Sequence, residues 1–290
     1  MLAAMLLAST VMAKPDLDQI CRDAFVSAKT KLPAERLTID DVSITVMVLE
    51  GGIWRTGGFE QDNSMYPASV VKLFWLAFAH HAVKSWTDED LRAARDMIVD
   101  SSNDATGAIV NLATGALPGP NLHGKAYQDW VHKRQAANRW FRSRGFENIN
   151  VLNRTYNEAP YGREAQIIKE HGRNRLTTRA TAQLMGRFAL DNLEPGQSVS
   201  SFTAFLKRKP NSKDGQFDEY LGGIMPKGTQ HWSKAGWTSE VKHDVSYDIM
   251  PDNRQFVFCV FTKRPDSDSL LQAIGLELLK SLGYDVKTKD

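Results

Sequence analysis

Ser69 and Lys72 stand three residues apart at the mouth of an apolar run, YPASVVKLFWLAF (66–78), just after Pro67. If a helix begins here, positions i and i+3 share a face, so the hydroxyl and the amine lie side by side. Ser69 then falls in the first turn, where unpaired backbone N–H groups and the helix dipole favour developing negative charge. A lysine set against an apolar wall loses hydration, which lowers its pKa toward neutrality and lets it act as a base. That is one recipe for an activated serine. Alone, the pair also fits an ordinary buried helix with a capping serine and a snorkelling lysine.

Two further segments bear on the choice. DSSNDAT (100–106) places Ser101, Ser102 and Asn103 at the start of a helix, and WSKAGWT (232–238) places Lys234, Ala235 and Gly236 in a strand. Around one carbonyl substrate, Ser101 can relay a proton to a leaving nitrogen, and Asn103 can hold a substrate amide. Lys234 supplies positive charge for a carboxylate and lowers the proton affinity of Ser101 and Lys72. Gly236 allows close backbone approach, and the next N–H, on Trp237, can join that of Ser69 as an oxyanion hole.

The elements that must position these groups follow from periodicity. DLDQICRDAFVSAKTKL (16–32) has helical spacing of its apolar residues. Residues 41–59 alternate on both sides of Gly51-Gly52 and read as a hairpin. From 69 to about 208 the signals are helical, including a capping box at Thr87–Asp90 and a long helix over 126–145. A second hairpin (243–264) and a helix (269–282) close the chain. Strands at both ends around a helical middle predict an α+β fold: an antiparallel sheet built from both termini, with flanking helices and an all-helical lobe. The expected division is one catalytic domain over 14–290, with an α/β lobe (14–68 and 215–290), a helical lobe (69–214) and the site in the cleft between them.

Composition narrows the class. A formal net charge of +2 argues against a nucleic-acid surface, and the basic stretch Lys133–Arg144 reads as a solvated helix face with Trp140 and Phe141 turned inward. His80-His81 lacks a second ligand pair at zinc spacing, so no metal and no cofactor are expected. Residues 1–13, MLAAMLLASTVMA, are apolar, too short to span a bilayer and end in small residues, which reads as a secretory signal. The mature chain is expected to be a periplasmic or secreted monomer without membrane insertion. Export permits a Cys21–Cys259 disulfide, although each cysteine also suits a buried free thiol.

The three motifs, in this order and at about these separations, resemble those of the penicillin-recognising serine enzymes, most closely the class A β-lactamases. The resemblance covers nearly the whole mature chain. It implies an acyl-enzyme on Ser69, with Lys72, Ser101 and Lys234 as catalytic groups, Asn103, Gly236, Trp237 and Thr238 against the substrate, and a β-lactam or related acyl-peptide as substrate. A D-alanyl-D-alanine peptidase or esterase, or a non-catalytic penicillin sensor, would use the same fold.

Three departures from the family pattern stand out. Ser102 replaces an acid that braces the second motif. Ala235 removes a hydroxyl that helps bind the substrate carboxylate, leaving Ser233, Thr238 or Ser239 to replace it. The loop 150–172 should carry the deacylating glutamate, but one alignment puts Tyr156 there and another Asn153. Glu158 is the first-choice substitute, and Glu158 and Glu164 otherwise read as solvated loop carboxylates. The loop's usual internal ion pair also lacks its acid, since Arg154 is present but Arg175 stands near the acid's place.

Overall fold

The alternating segments at the two ends of the chain pair with each other. The computed structural model describes residues 14–211, 215–263 and 268–286; the signal expected at 1–13 lies outside them. Strands β1 (Val42–Glu50) and β2 (Ile53–Phe59) form the first hairpin. A two-residue strand β3 (Lys207–Arg208), which the sequence does not announce, precedes β4 (Gln230–Trp237), β5 (Lys242–Ile249) and β6 (Gln255–Thr262). They make one antiparallel sheet in the order β2-β1-β6-β5-β4-β3, so the N-terminal hairpin joins the C-terminal strands through β1 and β6.

Side chains alternate across such a sheet, and each face has its own cover. On one face α1 (Leu17–Lys31) contributes Leu17, Ile20 and Phe25 to a core shared with Ile44, Val46, Phe256 and Phe258. The C-terminal helix (Asp268–Ser281) completes that layer with Leu270, Leu271 and Ile274. On the other face Met47, Val257, Cys259 and Phe261 meet the helical part of the chain. That part comprises α2 (Val71–Ala82), α3 (Asp88–Ile98), α4 (Asn103–Thr114), α5 (Gly124–Arg134), α6 (Ala136–Arg142), α7 (Arg163–His171), α8 (Thr178–Ala189) and the single turn α9 (Ser200–Thr203), so the closing helix is α10.

Helix α2 is buried on every side from Val71 to Ala79. An apolar surface all round is what a central helix needs, and none of the neighbouring helices has one. The capping box at Thr87–Asp90 starts α3 as its spacing predicts: Thr87 Oγ1 accepts from the Asp90 N–H, and Asp90 accepts from the Thr87 N–H. The long helix expected over 126–145 is instead two, α5 and α6, joined at Gln135. Its basic face is also not simply solvated. Arg134 is wholly buried against Glu164, and Arg144 pairs with Glu194 over the Trp140 ring.

Cys21 and Cys259 are both free and both wholly buried, so the disulfide alternative is set aside. Burial, the largest influence, pushes both thiols well above their ordinary range. A thiol reagent should therefore modify neither cysteine in the native protein and both in denaturant without reductant; no reactive thiol in denaturant would mean a disulfide.

Candidate active site

The nucleophile candidate does not sit in the first turn of α2 itself. It occupies a single 3₁₀ turn, Ala68–Val70, that leads into α2. Ala68 adopts a left-handed backbone (φ 47°), and Ser101 does the same (φ 52°). Such conformations cost on the order of 1–3 kcal/mol in a non-glycine residue, and persist only where surrounding structure holds them. Both strained residues adjoin or carry a hydroxyl of the site.

Two contacts hold the turn. Gly236 on β4 packs so closely that a Cβ there would lie 2.8 Å from the Ser69 nitrogen and 2.9 Å from the Pro67 oxygen. The expected need for a glycine is met, but by the nucleophile's own backbone. Behind it, His243 on β5 accepts from the Thr262 N–H at Nδ1, so Nε2 carries the hydrogen and donates to the Tyr66 carbonyl at 2.9 Å. Burial pushes the His243 pKa down to about 4, which keeps that tautomer neutral.

Lys72 is the centre of the polar cluster. Its Nζ lies 3.1 Å from Ser69 Oγ, 3.1 Å from Ser101 Oγ and 2.8 Å from Asn103 Oδ1, and also meets the Ser101 carbonyl. The side chain is wholly buried, and that desolvation lowers its pKa to about 7. A neutral amine has two hydrogens and one lone pair. The two carbonyl oxygens, which can only accept, can take the hydrogens and leave the lone pair toward the hydroxyls. Ser101 Oγ is shared, since Lys234 Nζ also reaches it at 3.1 Å. Lys234 is itself buried and also donates to the Ala235 carbonyl.

The second motif shows why its departure is tolerated. Ser102 caps α4, its Oγ accepting from the Ala105 N–H. Asn103 is held from two sides. Its amide nitrogen donates to the Tyr156 carbonyl (3.1 Å) and Asn157 Oδ1 (2.9 Å), and its oxygen faces Lys72, so the whole carboxamide is engaged inside the protein. It positions Lys72 and ties the loop to α4, and it also lines the cleft, where the sequence suggested a substrate contact.

The loop 150–172 brings the largest corrections. Glu158 is exposed and does not line the cleft. Glu164 is buried, not solvated, at 3% exposure. It accepts from Arg134 (2.6 Å), Arg154 (3.3 Å) and the Tyr156 hydroxyl (2.8 Å). The loop thus has its internal ion pair, with an acid ten residues after Arg154, while Arg175 turns to Ser64. Of the two aligned positions, Tyr156 is the one beside Asn103; Asn153 is buried and donates to the Gly172 carbonyl. Burial, then the Glu164 charge, raises the Tyr156 phenol above its ordinary value, so it is no base at neutral pH.

These groups face a cleft of about 380 Å³, lined by Ser69, Ser101, Asn103, Lys234, Gly236 and Trp237, with Asp100, Gln216, Glu219 and Tyr220 on its rim and walls. Trp237 is 69% exposed there. Thr238 does not line the cleft: its N–H donates to the Val241 carbonyl and its hydroxyl accepts from the Glu240 N–H, closing the β4–β5 turn. Neither Ser233 nor Ser239 lines it either, so none of the three hydroxyls named as substitutes for the one missing at Ala235 reaches the cleft lining. Glu219 and Tyr220 belong to no motif, and only the tertiary fold brings them here. Directly across the ladder from Ala235 is Asp244, wholly buried, its carboxyl pushed up to about 6 chiefly by that burial.

Three measurements test this geometry. With Lys72 as base near pKa 7, covalent modification of Ser69 by an acyl donor should rise with pH and level off above about 7, and Lys72→Ala should slow it about a hundredfold or more. The same depressed value means that the unfolded chain holds the extra proton between pH 7 and about 10.5. Stability should therefore rise with pH across that window, and a Lys72→Met protein should lack this slope. In the loop, Glu164→Ala leaves two guanidinium groups without their acid, one of them wholly buried, and should destabilise by about 3–5 kcal/mol in chemical denaturation, against roughly 0.5 kcal/mol for Glu158→Ala.

Comparison with known proteins bears on the family and the fold. A family model described as "Beta-lactamase enzyme family" matches residues 90–282. No curated protein sequence matches the chain. A β-lactamase from Sphaerobacter thermophilus DSM 20745 is similar in structure, with a TM-score of 0.62 at 19% identity over 90% of this chain and 97% of that one. A class A β-lactamase from Mycobacterium abscessus gives 0.61 at 16% over 91% and 100%. A variant of PBP-A, solved as an acyl-enzyme complex with penicillin G, gives 0.63 at 17% over 93% and 98%. At these identities the likeness establishes the fold, while the family match spans well over half of the chain. This chain therefore belongs to the β-lactamase enzyme family and is a serine hydrolase.

Proposed function

We propose that the protein is an exported enzyme that opens β-lactams, or kindred amides and esters, through an ester on Ser69, and that this ester outlasts its formation. One observation carries the reading: a lysine with pKa about 7 lies 3.1 Å from each of two serine hydroxyls, one of them shared with a second lysine.

In the proposed sequence neutral Lys72 takes the Ser69 Oγ proton as the oxygen attacks the substrate carbonyl. The oxyanion lies between the N–H groups of Ser69 and Trp237. Ser101 then passes its hydroxyl proton to the leaving nitrogen and is reprotonated from Lys72, while Lys234 keeps the Ser101 oxygen electrostatically supported. The C–N bond breaks, and an acyl ester remains on Ser69. Every proton has a route through groups within hydrogen-bond distance.

Deacylation is the slow half. Water needs a base, and the loop supplies none: Tyr156 donates to Glu164, Glu164 is held by two arginines, and Glu158 faces solvent. The same lack favours a second reading within the fold, a slow peptidase or a penicillin sensor, in which the ester persists still longer.

Incubation with a penicillin, followed by mass spectrometry and pre-steady-state kinetics, tests both halves. The expected result is a burst that adds one penicillin to Ser69, then slow loss of the adduct, with no labelling of Ser69→Ala. Fast, burst-free turnover that survives Glu158→Gln would overturn the deacylation reading, and full-rate labelling of Ser69→Ala would overturn the nucleophile.

A further inference from the structure

The cleft is poorly furnished for an anion. A substrate carboxylate beside the scissile bond wants a charge-assisted donor that is not already engaged. Among the described residues, Lys234 is the cation that lines the cleft, and its ammonium is buried and already donates to Ser101 Oγ and the Ala235 carbonyl. The position after it carries the methyl of Ala235. Across the ladder stands the buried acid Asp244, whose Oδ1 has no hydrogen-bond partner. Lys242, opposite Trp237, is buried with its ammonium 4.5 Å over the Tyr220 ring and does not line the cleft.

The rim adds acids. Glu219 and Asp100 both line the cleft and both are exposed. Asp100 is partly offset by Arg95 at 3.5 Å. Glu219 makes no ion pair among the described residues, and its carboxylate lies where a Cβ on Gly215 would be 2.7 Å from Oε1. A carboxylate entering this cleft would lose hydration and gain acids as neighbours. An amide or ester would lose little, and an ammonium would gain two exposed counter-charges and the face of Trp237.

We infer that this cleft selects acyl donors whose group beside the scissile bond is an uncharged amide or ester, or carries an amine, over donors with a free carboxylate there, with Glu219 as the main discriminating side chain. The inference rests on the acyl-enzyme reading and narrows its substrate class. Lys234 serves the proton on Ser101 in this reading more than it serves the substrate's charge.

The test uses one penicillin in three forms: the free acid, its methyl ester and its 2-aminoethyl amide. Second-order rates of Ser69 acylation are read by mass spectrometry for the wild type, Glu219→Gln and Glu219→Lys, with circular dichroism to verify folding. The wild type should favour the aminoethyl amide over the free acid by about tenfold, with the ester between. Glu219→Gln should narrow this order and Glu219→Lys should reverse it, and high salt should narrow it in the wild type. A wild type that prefers the free acid, or an order that neither substitution moves, would overturn the inference while leaving the acyl-enzyme intact. No labelling by any of the three would instead overturn the acyl-enzyme reading on which it rests.

Discussion

The chemistry available to this protein depends on removing water from one amine. Lys72 projects from a helix that is apolar on all sides, and desolvation lowers its pKa. At an exposed position the same lysine would be an ammonium at neutral pH and could accept no proton. Two carbonyl acceptors orient what hydrogens remain, so the lone pair meets the serine hydroxyls. The wholly apolar character of α2 thus both builds the core of the helical layer and lowers the pKa of the Lys72 amine.

A second constraint is contact between layers. The nucleophile turn belongs to the helical part, whereas Gly236 and His243 belong to the sheet. A side chain at 236 would have to push the Ser69 nitrogen away, and a charged imidazole at 243 would lose the acceptor function that fixes its tautomer. The strained backbone at Ala68 is retained because strands β4 and β5 hold it from behind. Energy that local preference would release is held by packing, as is common where a reactive group must be presented rather than buried.

The loop shows a different allocation of charge. Its acid is not aimed at the cleft but buried among Arg134, Arg154 and the Tyr156 hydroxyl. A buried ion pair of this kind adds little net stability over a well-packed apolar pair, yet breaking it is costly. It therefore acts as a lock on the loop. The lock also holds Tyr156, and through its carbonyl Asn103, and through Asn103 the amine of Lys72. The loop is thus fastened to Lys72 through Asn103, while its buried acid does not line the cleft.

Much of this was legible in the residues. Alternation around Gly51-Gly52 and around 251–255 marked both hairpins, and the all-round apolar run after Ser69 marked a buried helix carrying Lys72, because period and burial are local properties. The motif residues Ser69, Lys72, Ser101, Asn103, Lys234 and Gly236 were picked out by type and spacing; the fold brings five of them to one cleft and leaves Lys72 buried within reach of the Ser69 and Ser101 hydroxyls. What the sequence could not determine is which charges find each other. Arg134 and Glu164 are thirty residues apart, and each reads as solvated until the fold buries both. Thr238 looks like a substrate contact until a turn engages it first, and Glu219 and Tyr220 carry no signal at all. Ion pairing, desolvation and access to a cleft are properties of three-dimensional neighbourhood, which spacing along one chain does not encode.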